Sequence, residues 1–126
     1  ARKMVKGQCP GRIINIASLL AFQGGIRVAS YTAAKHGLLG LTRAMSNELA
    51  PMDITVNAIA PGYIETDNTK DLIQDPKRYA EILGRIPAGR WGKPEDICSA
   101  VLFLSSPLSS FVTGSCISVD GGWMAR

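Results

Sequence analysis

Residues 12–35 read RIINIASLLAFQGGIRVASYTAAK, and the order of residue types within this stretch decides the fold class. Residues 12–18 (RIINIAS) combine isoleucines with small residues, which is typical of a strand buried in a parallel sheet. After a loop rich in small residues at 21–30, apolar side chains recur at a spacing near 3.6, which predicts a helix over 31–50. A strand followed by a long helix indicates an α/β protein.

The remainder of the chain repeats this alternation. Pro51 ends the long helix, and residues 54–60 (ITVNAIA) have the β-branched composition of a second parallel strand. A later helix is predicted to begin at Lys93-Pro94, with a last strand within 114–119. The buried stripe of that helix is predicted to comprise Ile97, Val101, Leu102 and Leu104. Between these elements lies a polar, broken helical stretch at 67–90, which we interpret as part of a lid next to the site.

Three residues of the opening stretch form a candidate catalytic group. Tyr31 and Lys35 are one helical turn apart, so they share a face. A unit charge about 4 Å from the phenol is worth about 4 kcal/mol at an effective dielectric of about 20, so we expect Tyr31 to exchange a proton near neutral pH, as a general acid/base does. Ser18 ends the predicted strand, at the edge where open α/β sheets bind ligands. A Tyr-x-x-x-Lys spacing alone is commonly coincidental, but the upstream serine favours an active site.

The residues after the second strand form a candidate ligand loop. Pro61 and Gly62 break the strand and leave the next backbone N–H groups free to meet a ligand. Thr66 has two interpretations, as a ligand contact or as the cap of the next helix. In the earlier loop, Gln23 and Arg27 either face water or reach an anionic substrate, and the guanidinium of Arg27 matches a carboxylate.

Composition limits the class of protein. The chain has 126 residues, 46% of them hydrophobic, which suffices for one small domain. Neither a membrane-spanning run nor an apolar signal-peptide centre is found, so we expect a cytoplasmic protein with no membrane partner. Three scattered cysteines predict reduced thiols and no metal site. The net charge of +4 comes without aromatic residues among the basic ones, so we expect no nucleic-acid partner.

Together these motifs resemble a known family. Ser18, Tyr31 and Lys35, followed by residues 57–62 (NAIAPG) and 120–122 (DGG), resemble the C-terminal half of a classical short-chain dehydrogenase/reductase. The resemblance implies three strands of a Rossmann-type doubly wound parallel sheet, with the N-terminal half and its glycine-rich adenosine-binding turn missing. Residues 1–126 would then be one partial domain, the catalytic and nicotinamide half, with a substrate lid at about 63–90.

The resemblance also implies roles for individual residues. Ser18 would orient the substrate, Tyr31 would be the acid/base, and Lys35 would favour the phenolate and hold the nicotinamide ribose, so that Tyr31 and Lys35 also count as cofactor-binding. The implied nicotinamide-binding loop consists of Pro61, Gly62, Ile64 and Thr66. Ile64 would bind the carboxamide through its backbone and Thr66 through its hydroxyl. The implied cofactor is NAD or NADP, with NAD favoured.

Within the family, three segments are most similar in sequence to the sugar-acid branch: SLLAFQGGIRVASYTAAK, NAIAPGYIETDNT and RIPAGRWGKPED. This implies hydride transfer between a nicotinamide cofactor and a secondary alcohol or ketone of a small acid of the 2-dehydro-3-deoxygluconate type. Gluconate 5-dehydrogenases and 3-oxoacyl-carrier-protein reductases share these motifs, and a non-catalytic truncated assembly module is a further alternative. The resemblance implies a homo-oligomer, a dimer or a tetramer, with the region of Trp123 at a subunit interface. We expect the 126-residue segment alone to be inactive.

Overall fold

The fold is built on a three-stranded parallel sheet. A computed structural model describes all residues 1–126. Strand β1 (Gly11–Ile16) pairs with β2 (Ile54–Pro61), which pairs with β3 (Cys116–Val119), in the order β1-β2-β3. Both pairings are parallel, with Ile13 opposite Val56 and Ile59 opposite Ile117. The predicted α/β class with three parallel strands is therefore confirmed.

Five helices connect and flank the strands. They are α1 (Arg2–Gly7), α2 (Ala29–Leu49), α3 (Lys70–Gln74), α4 (Pro76–Leu83) and α5 (Pro94–Ser105). Helix α2 begins two residues before the predicted Tyr31, and β1 ends at Ile16 rather than at Ser18. The ladder nevertheless continues briefly, because the Ala17 N–H donates to the Ile59 carbonyl at 2.7 Å.

Strand β2 is buried because helices cover both of its faces. All residues from Ile54 to Ala60 are buried. Leu39 of α2 packs with Ala58 and Ala60 on one face. Ala100 and Leu104 of α5 pack with Ile59 on the other. A strand that packs on both faces needs apolar residues on both, and Ala58, Ile59 and Ala60 are accordingly apolar at successive positions. The polar side chains of Thr55 and Asn57 lie in the first half of the strand.

The predicted buried stripe of α5 was partly wrong. Ala100 and Leu104 are buried and Ile97 packs against them, but the side chain of Leu102 is 70% exposed and that of Val101 is 36% exposed. A helix turns about 100° per residue, so Leu102 lies about 140° from Ile97, whereas Leu104 returns to within about 20° of it. The apolar residue at 102 therefore faces away from the sheet.

Asn57 fastens the loop that precedes β3. Its side chain is completely buried. Its Nδ2 donates to the Val112 carbonyl at 2.7 Å, and its Oδ1 accepts from the Ser115 N–H at 3.1 Å. Buried polar groups require partners, and here the amide and the loop backbone satisfy one another. The asparagine of the NAIAPG motif thus sets the entry of β3 into the sheet.

The three cysteines are free thiols. Cys9 and Cys98 are exposed, whereas Cys116 in β3 is half-buried and burial raises the pKa of its thiol. None of the helices combines the length and the apolar character that a membrane crossing requires.

Candidate active site

Ser18 stands immediately beyond the carboxyl end of β1. Its backbone is extended, and it caps a short 3₁₀ turn, Leu19–Ala21, in which the Leu20 N–H donates to Ser18 Oγ at 3.2 Å. The turn follows from the serine, since a hydroxyl at an N-cap satisfies a backbone donor that has no other partner. This bond uses a lone pair of Oγ, and the hydroxyl proton of Ser18 has no acceptor within the chain.

Tyr31 and Lys35 lie on the first turns of α2, as their spacing predicted. The Lys35 Nζ is 5.3 Å from the centroid of the Tyr31 ring. The same Nζ donates to the Ile16 carbonyl at 2.7 Å, so Lys35 joins α2 to the end of β1. One of the three N–H donors of the ammonium is thereby occupied, and two are left for other acceptors.

Ser18 and Tyr31 line the same cavity. Its volume is about 530 Å³, and Pro61 and Gly62 at the end of β2 also line it. The structure thus brings together four of the predicted site residues, from three separate segments of the chain. Lys35 does not line the cavity. It contacts the ring of Tyr31, which does line it.

The two other predicted cofactor residues lie just outside this cavity. Ile64 is buried and forms a single bridge with Gly92. Its carbonyl accepts from the Thr69 hydroxyl at 2.6 Å, while its N–H makes no hydrogen bond within the chain. Thr66 is exposed at the N-cap of the 3₁₀ turn Asp67–Thr69. Its N–H donates to Thr69 Oγ1 at 3.0 Å, so its backbone joins the next turn, and the role of its own hydroxyl, as a cap or as a ligand contact, stays a prediction.

One ion pair, between Arg90 and Asp96, spans the segment that contains Trp91. Arg90 donates to both carboxylate oxygens of Asp96, at 2.7 and 2.8 Å, and the Lys93 N–H donates to Asp96 Oδ2 at 2.7 Å. The Arg90 guanidinium, and next the Lys93 N–H, hold the pKa of Asp96 well below its usual range. The pKa of Arg90 is raised by the same pairing.

Comparison with known proteins agrees with this geometry. A family model described as enoyl-(acyl carrier protein) reductase matches residues 1–124. The chain belongs to the short-chain dehydrogenase/reductase family. It is 61% identical over 116 residues to the 2-dehydro-3-deoxy-D-gluconate 5-dehydrogenase of Escherichia coli K12, a match that covers 92% of this chain and 46% of that protein. The chain thus spans about half the length of the curated relatives it matches.

Two solved structures are similar throughout. A crystal structure from Agrobacterium tumefaciens, described as a candidate 2-deoxy-D-gluconate 3-dehydrogenase with bound NADP, is 58% identical with a TM-score of 0.97. The match covers 99% of this chain and 51% of that one. A gluconate 5-dehydrogenase from Burkholderia cenocepacia, in complex with NADP and tartrate, is 37% identical with a TM-score of 0.96, and covers 99% and 49% respectively. The fold is therefore that of a short-chain dehydrogenase/reductase.

The cavity of this short-chain dehydrogenase/reductase is also lined by an aromatic residue whose place there the sequence did not predict. Trp123 is 5% exposed and lines the cavity, with its ring centroid 4.7 Å from that of Tyr63. Its side chain packs within this chain, against Leu19 and Ile82, while the expectation that the region lies at a subunit interface stays a prediction. Asp120 directs it there by accepting the N–H groups of Gly122 and Met124, both at 2.9 Å.

The two long polar residues of the 21–30 loop differ in position. Gln23 lines the cavity, and its Oε1 accepts from the Trp123 Nε1–H at 3.2 Å. Arg27 has a left-handed backbone (φ 62°), is exposed, and lines neither this cavity nor the one that adjoins it. The Gln23–Trp123 contact joins residues 100 positions apart, and no local pattern in the sequence indicates it.

Proposed function

We propose that the protein containing this chain is a nicotinamide-dependent oxidoreductase of small sugar acids. It would transfer a hydride reversibly between NAD(P) and a secondary alcohol or ketone of a substrate of the 2-dehydro-3-deoxygluconate type. The observation that carries this proposal is the shared cavity, which Ser18 and Tyr31 line from different segments of the chain. The relatives named for this chemistry support the substrate class.

Tyr31 is the group we assign to the proton. Its phenol, 46% exposed at the cavity, would give a proton to the carbonyl oxygen during reduction and take it back during oxidation. Ser18 would hold the same substrate oxygen. Because its Oγ already accepts the Leu20 N–H, its own proton is free to point at the substrate.

Lys35 would support Tyr31 by charge and by position. The Lys35 ammonium lies 5.3 Å from the centroid of the Tyr31 ring, so its positive charge faces the ring. Its bond to the Ile16 carbonyl fixes the side chain between helix and strand, so that the charge does not swing into solvent. The two remaining N–H donors suit the hydroxyls of a ribose.

The loop after β2 fits a nicotinamide group. The N–H of Ile64 has no partner within the chain, and a backbone donor in that position suits a carboxamide oxygen. Pro61, Gly62 and the exposed hydroxyl of Thr66 complete the proposed holding residues. A bound nicotinamide supplies or accepts the hydride. NADP occupies the two solved relatives named above, and the preference of this protein for NAD stays a prediction.

Residues 63–90 are proposed to form the substrate lid. This segment packs on an apolar cluster, since Ile82 and Ile86 are buried with Leu19, Trp91 and Trp123.

We further propose a cytoplasmic homo-oligomer, a dimer or a tetramer. Leu102, Leu108 and Phe111 are 70%, 89% and 102% exposed, and a second copy would remove such side chains from water.

The test is a substrate panel on the full-length protein. Reduced-nicotinamide absorbance would be followed during oxidation of 2-dehydro-3-deoxygluconate with NAD⁺ and with NADP⁺, and during reduction of 5-ketogluconate and of a 3-oxoacyl thioester with NADH and with NADPH. We expect the highest kcat/KM for 2-dehydro-3-deoxygluconate. A higher kcat/KM for the thioester would place the protein with the acyl reductases, and turnover of none of them would contradict the proposal.

A further inference from the structure

A second cavity adjoins the one that Ser18 and Tyr31 line. Its volume is about 420 Å³. Gln23, Tyr63 and Trp123 line both cavities, so the two are neighbours that share one wall. The second cavity also contains charged side chains, those of Arg78, Glu81 and Arg85, whereas the first contains none. A substrate bound in the first cavity can therefore contact charged side chains only where it extends into the second cavity.

The charges of the second cavity do not cancel. Arg78 and Glu81 neutralise each other through an ion pair at 3.1 Å. Arg85 makes no ion pair with any carboxylate of the chain. The cavity therefore carries one uncompensated positive charge, and that charge belongs to Arg85. A guanidinium in this situation attracts an anion, and its planar fork matches a carboxylate.

Trp123 holds Arg85 in place. The Arg85 guanidinium carbon lies 3.9 Å from the centroid of the Trp123 ring, a cation–π contact. The guanidinium makes no ion pair within the chain, so its N–H groups are available to a ligand. Trp123 is itself buried and is anchored by the turn that Asp120 caps, so the support beneath Arg85 is rigid.

The same tryptophan also orients Gln23. The indole N–H can only donate, so its bond at 3.2 Å requires that Gln23 present Oε1 to it. The NH₂ group of Gln23 then points the other way, where its partner is the Met124 sulfur. A thioether is a weak acceptor. Gln23 lines both cavities, so an oxygen ligand there would compete with the Met124 sulfur for its NH₂ group.

We propose that Arg85 and Gln23, both organised by Trp123, form the subsite that binds the carboxylate of the substrate. This inference rests on the proposed function, because it presumes that the substrate is a small acid whose reacting carbon lies near Tyr31. It replaces the sequence-based expectation for Arg27, which lines neither cavity. The subsite would select an acid against a neutral polyol of the same length, and it acts in binding rather than in proton transfer.

The test compares two probes that differ in their charged end. D-gluconate and D-glucitol have the same carbon chain, with a carboxylate in one where the other has an alcohol. Calorimetric titration of the full-length protein saturated with reduced cofactor avoids turnover of either alcohol. We expect gluconate to bind roughly 10- to 100-fold more tightly than glucitol, as charge-assisted hydrogen bonds allow. Arg85→Met should abolish that preference, and Gln23→Leu should reduce it.

Two variants serve as controls. The double variant Arg78→Met/Glu81→Gln removes the neighbouring ion pair together with both of its charges, so it should retain the preference for gluconate. Arg85→Lys keeps the charge without the planar fork and should give an intermediate preference. Equal binding of the two probes by the wild type, or a preference that survives in Arg85→Met, would overturn the subsite. If the preference depends on Arg85 but no sugar acid is turned over, the subsite stands and the proposed function fails.

Discussion

Gly62 passes so close to Asp120 that a Cβ at position 62 would lie 2.7 Å from the Asp120 Cα. The Gly62 N–H also donates to the Val119 carbonyl at 2.9 Å, so neither segment can retreat without losing that bond. Gly62 lines the candidate cavity, and Asp120 caps the turn that places Trp123 in its wall. A glycine is thus required at position 62 because the backbones of residues 62 and 120 pack too closely to leave room for a Cβ.

Gly62→Ala is therefore expected to destabilise the full-length protein. Forcing a methyl group into a packed position costs about 1–3 kcal/mol. The measurement is the midpoint of urea unfolding, together with the affinity for reduced cofactor, which should weaken as the floor shifts. Gly24→Ala is the matched control, because no atom lies within 4 Å of a Cβ there. Equal stability of the two alanine variants would contradict the close approach.

Asn57→Ala is expected to loosen the connection into β3. The substitution removes two part-buried hydrogen bonds, to the Val112 carbonyl and from the Ser115 N–H, worth about 0.5–1.5 kcal/mol each. Urea unfolding of the full-length protein measures the loss. Asn47→Ala, at an exposed position of α2, should change the free energy of unfolding by less than about 0.5 kcal/mol. A loss no larger for position 57 than for position 47 would refute the structural role.

The Arg90–Asp96 pair predicts a pH dependence of stability. The pKa of Asp96 is depressed in the folded chain, mainly by its hydrogen bonds with Arg90, so the folded state binds fewer protons than the unfolded state. The contribution of the pair is fully present above the unfolded pKa of about 3.9 and is lost as pH falls through the lower folded value. The free energy of unfolding is therefore expected to decrease as the pH falls below about 4.

Asp96→Asn tests this dependence. The variant should be less stable than the wild type at pH 6, and the difference should shrink as the pH falls below about 4. Thermal unfolding across that range is the measurement. Glu95→Gln removes the adjacent carboxylate, which makes no ion pair, and should follow the wild-type curve. A constant difference between Asp96→Asn and wild type at every pH would be inconsistent with the pairing.

Periodicity was sufficient to predict the sheet and the main helices. Residues 54–60 form a strand between helices on both faces, and their mostly apolar and β-branched composition is visible in the sequence. The observed ends of the elements differ from the predicted ones by a residue or two where local hydrogen bonds determine them. At Ser18, for example, the hydroxyl caps a 3₁₀ turn, and the strand ends earlier, at Ile16. Leu102 was misplaced because its hydrophobicity outweighed its angular position in the prediction.

The candidate site divides in the same way. Tyr31 and Lys35 are close in sequence, so helical spacing predicts their contact, and Ser18 joins them because parallel strands end at one edge. Trp123, Gln23 and Arg85 escaped prediction as a group. Their contacts link a loop, a helix end and the C-terminal turn across as many as 100 positions, and only folding brings them together.

The central claim is that the Tyr31 phenol transfers the proton, and kcat of Tyr31→Phe in the full-length protein tests it most directly. Tyr79→Phe is the matched control, since Tyr79 stacks on Trp91 outside the cavity of Ser18 and Tyr31. We predict that Tyr31→Phe lowers kcat by about 10²- to 10⁴-fold while the Kd for reduced cofactor stays close to wild type and Tyr79→Phe remains active. A Tyr31→Phe enzyme with kcat near that of the wild type would contradict the account.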